Sequence, residues 1–205
     1  IGMGHNFGNA VDHDLRSGGN RAIFIRDLLI VDPPLLHYGG DISFNTIYNV
    51  ASTGINIQSN TKCHHNIVHD FMQRFTDGAG IYAVANNNSL STDSSLIYKN
   101  IIYNTNDVNN AGIYCDAGTI TFSIYDNVIY NIPYFAGINI NNDTQFTKCY
   151  NNIIVDCLYL IRHRQDDSIN NHYTYNRGSN ILNNILALRS ASQYCHQAEV
   201  FDSTV

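Results

Sequence analysis

Six asparagines, Asn45, Asn66, Asn100, Asn127, Asn152 and Asn184, stand in the same apolar frame, and this frame limits the possible folds more than any other feature of the chain. Three residues before each anchor come Ile42, Cys63, Ile97, Ile124, Cys149 and Ile181. Two residues after come Ile47, Val68, Ile102, Ile129, Ile154 and Leu186. The anchors are 21, 34, 27, 25 and 32 residues apart. Repeats of roughly 20 to 50 residues mark a solenoid, in which each unit buries its apolar side only against its neighbours. A second element recurs between anchors, at Gly54-Ile55, Gly80-Ile81, Gly112-Ile113 and Gly137-Ile138. Ile57, Ala83, Cys115 and Ile140 follow two residues after each Ile, and between them lie Asn56, Tyr82, Tyr114 and Asn139. That is the period-two alternation of a strand with one buried side.

Strands that recur once per unit in one register stack in parallel at about 4.8 Å, each paired with the strand one coil away. The chain therefore reads as an all-β parallel β-helix of about six coils. Leucine-rich or helical repeats would need a Leu lattice or a 3.6-residue period. The asparagine column is expected where each coil bends, because Asn tolerates the left-handed conformation and its amide can bond nearby backbone. Stacked anchors can then bond one another along the solenoid.

The 205 residues suffice for one domain with a sizeable core. Residues 1–205 read as a single β-helix domain, with regular coils over 41–188 and an irregular N-terminal part punctuated by glycines. Because Ile1 opens inside what reads as a coil, the chain is expected to be a fragment or processed piece of a larger protein. Coil ends are unpaired sheet edges, to be covered by the rest of that chain or by end-to-end self-association. There are 29 Asn, only 14% charged residues, a net charge of -6 and a pI near 5.8. With no basic cluster, a nucleic-acid partner is not expected. No apolar run approaches the roughly 18 residues of a membrane span. Of the five cysteines, Cys63, Cys115 and Cys149 fall in apolar columns and read as small buried hydrophobes.

His64, His65, His69 and Asp70 invite a metal reading, but consecutive strand residues face opposite ways, so His64 and His65 are not expected to converge on an ion. No metal and no cofactor is expected. His64 shares an outward column with Tyr98, Tyr125 and Tyr150, which either clads the sheet or offers a platform to sugar rings. The longest step, Asn66 to Asn100, carries extra residues at 71–79 and 86–93, expected to wall a groove between coils two and four. Residues 162–167 form a polar run, expected to be a solvated loop that beside a groove could hold an acidic sugar.

Asp77-Gly78-Ala79-Gly80-Ile81-Tyr82, Gly112-Ile113-Tyr114-Cys115-Asp116-Ala117-Gly118 and Asn151-Asn152-Ile153-Ile154-Val155-Asp156-Cys157 resemble successive coils of the right-handed parallel β-helix proteins of the pectate-lyase-like superfamily. In look they are similar to its bacterial glycoside hydrolases. The resemblance implies a secreted, extracellular protein that acts on a polysaccharide or oligosaccharide. It also implies a catalytic carboxylate pair, Asp77 and Asp116, with Tyr82, Tyr114 and Asn141 as substrate contacts.

Such a pair needs one carboxyl held protonated as acid and one ionised as nucleophile or base. In-register coils put Asp77 and Asp116 at opposite strand ends, so only a bend in 71–79 would bring them together. Asp116 should lie between Val84 below and Asn141 above. Two other readings remain. In one, a structural or adhesive module stacks end to end as a fibre or spike, and both aspartates are turn residues. In the other, a polysaccharide lyase uses Lys99, Arg162 or Arg164 for proton abstraction.

Overall fold

The computed structural model describes residues 23–24, 40–58, 60–84, 94–105, 108–116, 118–142, 144–166 and 178–201. The candidate loop at 86–93 and the irregular N-terminal part apart from Ile23–Phe24 lie outside these residues.

Every described strand pair is parallel, and the coil closes around three faces. The first face holds Asp41–Ser43, Lys62–His64, Ser95–Tyr98, Phe122–Tyr125, Lys148–Tyr150 and Asn180–Leu182. Ile42, Cys63, Ile97, Ile124, Cys149 and Ile181 stand in one register row across it. The second face begins with Thr46–Tyr48, Ile67–His69 and Ile101–Tyr103. It continues through the first residues of two long strands, Val128–Ile140 and Ile153–Asp166, and ends at Ile185–Ala187. Its row is Ile47, Val68, Ile102, Ile129, Ile154 and Leu186. The third face holds Ile23–Phe24, Ile55–Ile57, Gly78–Ala83 and Asn110–Cys115, then the far ends of the two long strands, then Tyr194–Phe201. This is a parallel β-helix.

The apolar columns are the core. Cys63, Ile97, Ile124, Cys149, Val68, Ile102, Ile129 and Ile154 are fully buried, while Ile181 and Leu186 in the last coil pack against them partly covered. Each buried aliphatic side chain contributes about 1.5 to 3 kcal/mol relative to exposure, so the stack is stabilised rung by rung. Burial pushes the Cys63, Cys149 and Cys157 thiols up to about 12. They are inert packing groups, and Cys195 alone among the five is exposed.

The anchors form a continuous amide ladder. The Nδ2 of Asn45, Asn66, Asn100 and Asn127 each donates to Oδ1 of the next anchor at 3.0 Å, and that of Asn152 to Asn184 at 2.9 Å. Backbone N–H groups of the same residues reach the same oxygens. The expectation that the anchors themselves take the left-handed conformation is corrected. That conformation belongs to the residue before, at Phe44, His65, Lys99, Asp126, Asn151 and Asn183, with φ of 53 to 57°. The chain turns one residue early so that each anchor amide points into the coil, where from Asn66 to Asn152 it both donates and accepts. A second left-handed column, Asn49, Asp70, Asn104, Asn131 and Asp156, turns the second face toward the third.

Two aromatic columns clad the outside. Tyr98, Tyr125 and Tyr150 stack at 4.9 Å with planes 1° and 2° apart, and His64 lies on Tyr98 at 4.7 Å. Tyr48, His69, Tyr103 and Tyr130 stack likewise on the second face. Within each column both faces of the interior rings are covered by neighbours, which favours sheet cladding over a sugar platform.

Candidate functional site

The third face bends at its glycines. Gly80, Gly112 and Gly137 point inward, where an added Cβ would lie 2.5 to 2.6 Å from the core side chains Ile102, Ile129 and Ile154. The next residues, Ile81, Ile113 and Ile138, are also core. Two inward residues in succession break the alternation and fold the strand. On the outside, Ala79, Ala111 and Ala136 before the break then pack in one cluster with Tyr82 and Tyr114 after it, joined by Phe135 and Tyr159. The outer surface of this face is therefore a trough.

Two outward columns run along one wall. Tyr82, Tyr114, Asn139 and Arg162 are register partners. One alternation further stand Val84, Asp116, Asn141 and Arg164, with the Asp116 N–H donating to the Ala83 carbonyl and the Asn141 N–H to the Cys115 carbonyl. Asp116 lies between Val84 and Asn141, as its place in the repeat predicts. On the opposite wall Asp77 precedes Gly78–Ala83 in the left-handed conformation, φ 65°. Asn109 holds the same position one coil later, φ 61°. Asp77 is thus a turn residue as well as a site candidate.

The carboxyls meet different surroundings. Asp116 accepts at Oδ2 from the Tyr82 hydroxyl and at Oδ1 from Asn141 Nδ2 at 2.8 Å. An ionised carboxylate only accepts, so this donor set matches its charged form. Asn141 Nδ2 also reaches the Tyr114 hydroxyl at 3.0 Å. Asp77 is exposed, yet desolvation by the surrounding chain first, then the Asp116 charge, pushes its carboxyl above the ordinary value of 3.8, with the Arg164 charge opposing. The Asp116 charge thus acts on Asp77, although in-register coils set the two residues at opposite ends of their strands. Burial, then the Asp116 charge, raises both the Tyr82 and Tyr114 phenols, so both stay protonated donors. Tyr114 and Asn141 are only 7% and 8% exposed, and Asn141 alone of the two bonds Asp116, while Tyr82 is more open.

Three further expectations change. Arg162 and Arg164 belong to the strand Ile153–Asp166, so that part of the polar run is no solvated loop. Arg162 is 8% exposed, donates to Asn139 Oδ1 at 3.3 Å and lies over the Phe135 ring at 5.1 Å. Phe71 and Met72, expected to wall a groove, are buried in the core. His64 and His65 do converge, their Nδ1 atoms 2.8 Å apart, because His65 takes the left-handed step instead of continuing the strand. Lys99 sits at the first-face turn before Asn100, away from the trough. Asn139, Phe135 and Tyr159 lacked a signal of their own beyond the outward parity of their columns.

No protein-family model matches the sequence, and no curated protein matches it. Among solved structures the chain is similar to a single-substitution mutant of the periplasmic alginate epimerase AlgG, with 16% identity and a TM-score of 0.52. The match covers 80% of this chain and 39% of that one. A double mutant of the same enzyme follows at 14% identity and a TM-score of 0.47, over 78% of this chain and 39% of that one. The chain thus spans about two fifths of the epimerase's length. At this identity the likeness establishes the fold, an all-β solenoid with stacked parallel strands.

Proposed function

We propose that this β-helix binds a polysaccharide in the third-face trough and hydrolyses its glycosidic bonds, with Asp77 as general acid and Asp116 as nucleophile or base. The observation that carries this is the unlike setting of two carboxyls on one concave surface. Asp77 is pushed toward its protonated form by desolvation and the Asp116 charge, and Asp116 is held by two donors. Pairs of carboxyls whose environments differ in this way divide the acid and base roles of glycoside hydrolysis. Tyr82 serves as the accessible substrate contact, and Asn141, which also bonds the Tyr114 hydroxyl, fixes the carboxylate. An extracytoplasmic location accords with a polymeric substrate and with the periplasmic epimerase that shares the fold.

A lyase reading is favoured by one further observation: Arg162 and Arg164 occupy the same wall, and the Arg164 charge acts on Asp77. The Arg164 guanidinium beside a carboxyl pair suits an anionic sugar, and the epimerase of similar fold is named for alginate.

One experiment separates the readings. The protein is incubated with neutral and uronate polysaccharides while reducing ends and unsaturated products are followed. Reducing ends without unsaturation, lost in both Asp77→Asn and Asp116→Asn, support hydrolysis. Unsaturated products support the lyase. Absence of any product together with concentration-dependent filaments transfers the weight to the structural module stacking end to end.

A further inference from the structure

We propose that His64 and His65 form a surface site for a divalent metal ion of tetragonal preference, Cu(II) or Ni(II), on the first face and separate from the third-face trough. His64 closes the strand Lys62–His64, and a continued strand would turn His65 to the opposite side. Instead His65 has φ 53°, and the two Nδ1 atoms approach to 2.8 Å. Two nitrogens each about 2.0 Å from one ion and about 90° apart are about 2.8 Å from each other, whereas a tetrahedral ion would set them about 3.3 Å apart. The observed separation fits the cis positions of a tetragonal site, the geometry of Cu(II) and Ni(II) with nitrogen and oxygen ligands.

The surroundings prepare both rings. Nε2 of His64 is 3.1 Å from Asp41 Oδ1. A carboxylate there accepts a hydrogen bond from the Nε2–H, and the tautomer assigned from this contact leaves the Nδ1 lone pair available, the arrangement of a carboxylate–histidine–metal relay. His64 stacks on Tyr98 at 4.7 Å and His65 on Phe44 at 4.9 Å, with the imidazole planes 81° apart. Stacking restrains each ring, so little ordering remains for an ion to impose. An ion bound between the two rings would take the place of this Nδ1···Nδ1 contact. Among the described residues no group of three or more His, Cys, Asp or Glu is arranged to hold a metal. Water therefore completes the coordination, and the ion exchanges with solvent instead of supporting the fold.

The test is titration of the full chain with copper sulfate against glycine as a weak competitor, with electron paramagnetic resonance on the one-to-one sample. Expected is one competitive site with two coupled nitrogens. His65→Asn, which keeps a residue suited to the left-handed turn, should weaken it at least tenfold. Asp41→Asn should weaken it by about tenfold or more, and His69→Gln should leave it unchanged. Binding that survives His65→Asn, that falls equally in His69→Gln, or that carries a single nitrogen overturns the site.

Discussion

The phenol of Tyr82 donates to Oδ2 of Asp116, one coil above it and 34 residues later in the chain. Because burial and the nearby charge keep this phenol protonated, the donor persists across any working pH. A hydrogen bond to a charged group contributes about 1.5 to 3 kcal/mol, and about 1.4 kcal/mol is tenfold in rate. Tyr82→Phe should therefore lower kcat/KM on a cleaved polysaccharide by about ten- to a hundredfold while the fold persists. Steady-state kinetics beside a thermal melt check this, and a variant with unaltered kcat/KM would remove Asp116 from the mechanism.

Asp77 gives a prediction with opposite signs for activity and stability. Its pKa is raised above 3.8 in the folded chain. In the window between that value and the raised one, the native state holds more protons than the unfolded state, so stability falls as pH rises through it. At neutral pH the unfolded chain ionises this carboxyl freely, so the raised native pKa is a cost that Asp77→Asn removes, and Asn109 demonstrates that Asn suits the same left-handed turn. The variant should be inactive yet more stable than the parent at pH 7, with the gain vanishing below about pH 4. Denaturant midpoints across that range decide it. A variant less stable at pH 7 would mean the carboxylate itself caps the turn.

How much of this was legible in the sequence depends on whether side-chain chemistry or backbone conformation carries the constraint. The rows through Ile97 and Ile102 were readable because a core demands apolar groups at fixed parity, whatever the loops between. The left-handed step before each anchor was not, since Phe44, His65, Lys99 and Asp126 share no chemistry; what they share is the duty to aim the next amide inward. The second turn did carry a signal in Asn49, Asp70, Asn104, Asn131 and Asp156, all residues that tolerate that conformation. The trough was legible in principle, as Gly followed by a buried Ile puts two inward residues in succession. Arg162 and Arg164 were obscured because Leu160 replaces the glycine and the polar His163 falls at the inward parity between them.

The amide ladder should be strongest in its middle. Asn100 accepts from the Asn66 backbone and side chain, and donates to Asn127 and to the Cys63 carbonyl. Asn100→Ala leaves those buried partners unsatisfied, at about 1 to 3 kcal/mol for each group stranded. Part of that is recovered by local relaxation, so a net loss of about 3 to 5 kcal/mol is expected. At the partly buried end, Asn45→Ala should lose about 1 kcal/mol. Urea unfolding of the two variants provides the comparison, and equal losses would argue against ladder continuity as a source of stability.

Gly112 tests the origin of the trough itself. A Cβ there would lie 2.6 Å from Cγ2 of Ile129 and 2.7 Å from the Gly137 carbonyl oxygen. The side chain has little room to move in a core packed at crystal-like density, and the carbonyl belongs to the neighbouring rung. Gly112→Ala must therefore push two coils apart exactly where the strand folds, at a cost of about 3 kcal/mol or more, toward the upper end of overpacking penalties. Because Ala111 and Tyr114 flank the bend, the displacement should also open the cluster beneath Asp116. The expected result is a lower melting temperature together with loss of the Asp116 contribution to activity beyond the loss of folded protein. If the variant keeps full specific activity per folded molecule, the bend at Gly112 is not what aligns Asp116 with Asp77.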